Sequence, residues 1–231
     1  MEQRAYRIGL ERKLVHHCAP TLAALKPASL FTCRNDAVCG LASTAQCAPQ
    51  GPEAFEAAFA AELSACRDKL APCGVRIEVL ARRRAGILLY VYRPALLCAQ
   101  LAQRRVAAYL RGEGYNPADL SACIVKLHRR ICGTDLAAKL SGSCTFPHEI
   151  GFFLGYPYDD VVGFIENKGE NCLCVGCWKV YSRQRDAEAC FCRYKTQTAA
   201  YEDLYDGGVS LECLATVDEK RAGRKALAQA G

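Results

Sequence analysis

Val75-Arg76-Ile77-Glu78-Val79-Leu80-Ala81-Arg82-Arg83-Arg84-Ala85-Gly86-Ile87-Leu88-Leu89-Tyr90-Val91-Tyr92 is the stretch that decides the fold. Val75 to Leu80 alternates apolar and polar residues, the period of a half-buried strand. Ile87 to Tyr92 is a second, more apolar strand. Ala81 to Gly86, with its arginine triplet, reads as the basic turn of a hairpin joining them. Upstream, Phe55, Phe59, Leu63, Cys66 and Leu70 recur at helical spacing, so Pro52 to Leu70 is an amphipathic helix, stopped by Pro72 and Gly74. Downstream, Pro94 to Arg111 reads as one helix with proline in its first position. Asn116 caps another that runs to Ile131. Ser29 to Cys33 is a short strand.

Farther along, Phe146-Pro147-His148-Glu149 opens a short helix ending at Gly155, and Pro157 opens one to about Asn167. Cys172 to Tyr181 is strand-like, and Ser182 to Tyr205 is helical. Near the N-terminus, Leu14 to His17 reads as a short strand or extended entry. Pro20 then sits at the first position of a helix through Leu25. The order β-α-β-α-β-β-α-α-α-α-β-α predicts an α+β fold: a small, mainly antiparallel sheet with a central hairpin, packed against several helices. A single domain is expected over 1–206, with 34–51 a loop or insertion and 207–231 a loosely ordered tail.

Composition excludes several classes. Of 231 residues, 51% are hydrophobic and 23% charged, so the chain is neither disordered nor collagen-like. The formal charge is +6, and +2 of it falls in the tail after Thr216, so no nucleic-acid partner is expected. No apolar run is long enough to span a membrane, and no secretion signal is read at the charged N-terminus. The 16 cysteines are therefore expected as reduced thiols in a cytoplasmic protein, most of them acting as small hydrophobes.

Three segments could carry chemistry. If Pro20 begins a helix, Cys18 lies beside its N-terminus, where the helix dipole and a neighbouring His17 would lower the thiol pKa. The other reading is a buried structural thiol. Lys26 and Arg93 are candidate anion contacts, or in the case of Lys26 a helix C-cap. His148 beside Glu149 could serve as the base for a cysteine nucleophile, or the pair could only cap a helix. Cys172, Cys174, Cys177, Cys190 and Cys192 resemble a zinc-ligand cluster. A regular strand would put Cys174 and Cys177 on opposite faces, and a helix would put Cys190 and Cys192 about 200° apart. The spacing names no cofactor and no metal.

The same segments carry a family resemblance. His17-Cys18-Ala19-Pro20-Thr21-Leu22-Ala23, Lys26-Pro27-Ala28-Ser29-Leu30-Phe31 and Tyr90-Val91-Tyr92-Arg93-Pro94 resemble signatures of domain of unknown function family 3793. Phe146-Pro147-His148-Glu149-Ile150-Gly151, Leu154-Gly155-Tyr156-Pro157, Asp160-Val161, Gly163-Phe164-Ile165, Asn167-Lys168-Gly169 and Trp178-Lys179-Val180-Tyr181 resemble its long C-terminal signature. The resemblance spans about residues 12–205 and implies a cytoplasmic bacterial protein, with no reaction attached. It draws attention to Cys18 and His148, because the Cys174/Cys177/Cys190/Cys192 group lies outside those signatures.

Two expectations of different class follow. One is a thiol-dependent transferase or hydrolase acting on a small molecule, with Cys18 as nucleophile, His148 as base and Glu149 as the orienting carboxylate; His17, Lys26 and Arg93 would contact the ligand. The other is a non-enzymatic protein that holds a metal, haem or anion with the same residues. A regulatory or adaptor role is the third possibility.

Overall fold

The computed structural model describes residues 9–34, 52–83, 86–134 and 146–216. At its centre is a three-stranded antiparallel sheet of β1 (Ala28–Cys33), β2 (Arg76–Arg83) and β3 (Gly86–Tyr92), in the order β1-β3-β2. The predicted hairpin is there, although its turn residues 84–85 lie outside the described residues. β3 is central, with Leu30 opposite Tyr90 on one side and Glu78 opposite Tyr90 on the other. Its near-continuous apolar run has a physical reason, since both of its faces are covered. Ile87, Leu89 and Val91 enter one core; Leu88, Tyr90 and Tyr92 enter the other. β2 carries a bulge, the register stepping from Val79↔Leu89 to Ala81↔Leu88. The extra residue lets Leu80 and Ala81 both reach the second core.

The first core lies under α1 (Leu10–Leu22) and α2 (Pro52–Leu70). The second lies under α3 (Pro94–Ala102), α4 (Arg104–Gly112), α5 (Leu120–Ile131), α6 (Ile150–Phe153) and α7 (Tyr158–Glu166). A two-stranded hairpin follows, β4 (Cys174–Val175) and β5 (Lys179–Val180), and then the long α8 (Gln184–Asp206), which runs against α1. The fold is α+β, as expected.

Four local expectations are corrected. Leu14 to His17 is not a strand: the helix begins at Leu10, and Pro20 lies inside its last turns. Leu10, Leu14, Val15, Cys18 and Leu22 form a buried stripe at helical spacing, and burying that stripe outweighs the single hydrogen bond that Pro20 cannot donate. The predicted helix from Pro94 to Arg111 is two helices, broken at Gln103, whose ψ of 132° is extended. The cap of α5 is Asp119, which accepts from Ala122 N at 2.9 Å; Asn116 instead closes the preceding turn on Ala118 N. The fold also does not end at residue 206, because α9 (Leu211–Ala215) buries Leu211, Leu214 and Ala215 against α1 and α2. The expected insertion at 34–51, apart from Arg34, and the part of the expected tail from 217 lie outside the described residues. Among the described residues no helix is long and apolar enough to cross a membrane.

Arg93, just after β3, ties these parts together. Its Nε donates to Thr21 O at 2.7 Å, Nη1 to Cys73 O at 2.9 Å, and Nη2 to Ala215 O at 2.7 Å and to Leu22 O. Two of these acceptors are carbonyls at the end of α1, where intrahelical donors run out, although Thr21 O also accepts from Ala24 N at 3.1 Å. Two carbonyls of the edge strand β2 are also occupied, Ile77 O by Arg67 Nε at 2.9 Å and Leu80 O by the Cys132 thiol at 3.2 Å. Arg93→Met strands several buried acceptors at once and is expected to cost about 3 kcal/mol or more. Arg93→Lys should recover only part of that, because a point charge cannot reproduce the planar fork. Urea denaturation of the two variants measures both effects.

Candidate functional site

The residues expected to act together are dispersed. Cys18 lies in the interior of α1, fully buried in the first core, and not before a helix N-terminus. Burial pushes its thiol up to about 12, against the smaller opposing pulls of Lys26 and Ser29. The activation expected from a helix dipole is absent because the dipole's positive end is at Leu10, two turns away. No hydrogen bond or electrostatic interaction links Cys18 to His148. His17, on the exposed side of α1, stacks on Phe31 with ring centroids 4.7 Å apart and meets the edge of His16 at 4.6 Å. Desolvation, then the nearby His16 and Lys13, lower its pKa.

Arg93 is not available as an anion contact, since four carbonyls already engage it. Glu149 is buried and turned away from His148. Its Oε1 accepts from Arg130 Nη1 at 2.6 Å and from Tyr115 Oη at 2.7 Å. Arg130 also pairs with Glu113 at 3.0 Å. Glu149 is thus the centre of a buried network under α5, and the expectation that it orients His148 is corrected. Lys26 lies between two aromatic faces, its Nζ 5.7 Å from the Tyr156 ring centre and 5.8 Å from that of Tyr194. Burial lowers its pKa.

Of the expected residues, His148 lines a cavity to which the others do not contribute. The cavity has a volume of about 200 Å³. The segment before α6 contributes Phe146 and His148 to it, and α6 itself Ile150 and Gly151. Asp160, Val161 and Phe164 line it from one face of α7, at the i, i+1, i+4 spacing that a helix brings together. Trp178 and Lys179 come from the β4–β5 hairpin, and Tyr156 from the link between α6 and α7. The rings are mutually packed. His148 stands 5.1 Å from Phe164 and 5.7 Å from Phe146, and Trp178 stacks on Tyr156 at 5.0 Å. Behind it, Phe191 of α8 meets the Trp178 ring edge-on at 4.5 Å.

One carboxylate holds this wall in place. Asp160 is 2% exposed, and its Oδ2 accepts from Trp178 Nε1 at 2.7 Å. Its Oδ1 accepts from Tyr181 N at 2.8 Å, Ser182 N at 2.9 Å and Ser182 Oγ at 3.1 Å. The hairpin is thereby fixed to α7. Gly163 permits the approach, since a Cβ there would stand 2.6 Å from the Cβ of Tyr181. Gly155, at φ +78°, turns the chain between α6 and Tyr156 with Pro27 packed on it.

Sequence reasoning singled out His148 but gave no role to Asp160, Tyr156, Phe164 or Trp178. The available signal was aromatic density between Phe146 and Trp178. Among the described residues no group of three or more His, Cys, Asp or Glu side chains is arranged to hold a metal ion, and no disulfide joins two of the described cysteines.

A family model described as protein of unknown function, DUF3793, matches residues 14–215. The chain belongs to that family. Apart from the first turn of α1, the match takes in every described element to α9, including the helix beyond residue 206 and the described cavity walls. No curated protein and no solved structure matches the chain.

Two outcomes test this geometry. Alkylation of Cys18 in the native protein at pH 8 should run about a thousand-fold slower than that of an ordinary exposed thiol, given a pKa of about 12 against 9.0, as read by mass spectrometry of each cysteine peptide. Asp160→Asn puts an amide N–H against a ring or backbone N–H and should cost about 2–3 kcal/mol. Trp178 is the only tryptophan, so a red shift of its emission would report release of the hairpin.

Proposed function

We propose that this chain is a small-molecule-binding protein of the bacterial cytoplasm, and that its ligand is a single flat apolar ring held in the aromatic cavity. The observation that carries this reading is the cavity itself: about 200 Å³, walled by Phe146, His148, Tyr156, Phe164 and Trp178 and closed behind by Ile150 and Val161. Drug-sized ligands take roughly 300–1,000 Å³, so this volume suits one ring and excludes a haem macrocycle. Offset and edge-on ring contacts are worth about 0.5–1.5 kcal/mol each beyond burial, and the walls offer several.

The geometry favours binding over thiol chemistry. Cys18 packs in the core under α1, whereas Ile150, beside His148, packs in the core on the other face of the sheet. A nucleophile and its base must come within hydrogen-bond reach, and these two side chains share neither a core nor a bond.

Toluene titrated into the native protein tests the reading through Trp178 emission. A saturable spectral change is expected, together with a rise in the melting temperature, because a ligand that binds only the folded state stabilises it. Phe164→Ala, which removes one wall, should weaken binding by about five-fold or more, in line with the loss of one aromatic contact. A flat titration with monocyclic probes would sink the reading.

A further inference from the structure

The polar groups of the cavity are unequally engaged. Among the described residues Asp160 is its only carboxylate, and both of its oxygens are spent on Trp178, Tyr181 and Ser182. An acceptor holding four donors has little left for a cationic ligand. Among the described residues, Lys179 is the only lysine or arginine in the wall. Its Nζ donates to Gly169 O at 2.7 Å, and none of the described carboxylates pairs with it. An ammonium has three donors, so two remain for a ligand. The same Nζ stands 6.0 Å from the Phe164 ring centre, and His148 stands 5.1 Å from that ring. His148 is exposed to solvent, and among the described residues its ring packs against Phe146 and Phe164 and makes no hydrogen bond, leaving its ring nitrogens open to a ligand at the rim.

Resting on the binding reading above, we infer that the cavity selects monocyclic aromatic acids: the ring enters between Phe164, Tyr156 and Trp178, and its carboxylate is met by Lys179 and His148. A neutral ring would leave Lys179 without a counter-charge. A ring bearing an amine would place a second cation beside it and find Asp160 already filled. The cavity is too small for a second ring, so the acid belongs to the size class of benzoate or phenylacetate.

Benzoate, toluene and benzylamine are titrated against the native protein by Trp178 emission, at low and at moderate salt. Benzoate is expected to bind about ten-fold or more tightly than toluene, with benzylamine weakest, and the advantage of benzoate should shrink as salt is raised. Lys179→Met should bring benzoate down to the level of toluene while toluene binding persists, which also shows the pocket intact; Lys179→Arg should restore most of the difference. Equal affinities for benzoate and toluene overturn the inference and leave the ring-binding reading standing. Preference for benzylamine, or a benzoate preference that survives Lys179→Met, also overturns it. If neither toluene nor benzoate binds the native protein, the ring-binding reading itself fails.

Discussion

The guanidinium of Arg93 is the contact on which the arrangement of segments depends. It collects carbonyls from the end of α1, from the turn after α2 and from α9, segments that lie as many as 122 residues from it along the chain. Each of these carbonyls lies where regular structure stops and its ladder runs out of donors, although Thr21 O keeps one from Ala24 N. Arg93 follows directly on β3, the strand buried on both faces, so the anchor is as fixed as the sheet. An arginine is the one side chain that presents enough donors, in a plane, to serve four acceptors at once. Its charge is used for cohesion, and this is why it is absent from the binding surface where its sequence position suggested it.

The cavity repeats this logic on a smaller scale with the sign reversed. Asp160 gathers four donors from the β4–β5 hairpin and the two residues after it, and so converts two very short strands into a rigid wall. Two-residue strands have little stability of their own. The wall stands because the carboxylate and the ring of Phe191 hold Trp178 from two directions. Glu149 plays the same part beneath α5, where Arg130 and Tyr115 absorb it. Three charged residues near the site are therefore structural, and among the described residues of the cavity wall Lys179 is the lysine that no carboxylate pairs.

How much of this was legible in the sequence follows from the range of each interaction. The β2–β3 hairpin, α2 and α8 could be read because their periodicity is long and local. The helix α1 is also readable, from Leu10, Leu14, Val15, Cys18 and Leu22, but reading Pro20 as a start signal misplaces it, since Pro20 lies near the end. That one placement moved Cys18 from the middle of a helix to its beginning and made a buried thiol look activated. The site was less accessible. Asp160 and Trp178 are 18 residues apart and Tyr115 and Glu149 are 34 apart, so no local spacing announces either pair. His148 was found because histidines are few; its neighbour Glu149 misled, since adjacent residues on a turn point in different directions.

The bonds from Arg67 and Cys132 to carbonyls of β2 bear on how copies of this chain meet one another. A three-stranded sheet has two borders, and an open border is a template for a strand from another molecule. Along β2, two of the acceptors such a strand would need are already taken by side chains, and the bulge at Leu80 bends the line on which it would have to lie. Growth of the sheet from molecule to molecule is thus blocked on this side by the same contacts that fasten α2 and the end of α5 to it.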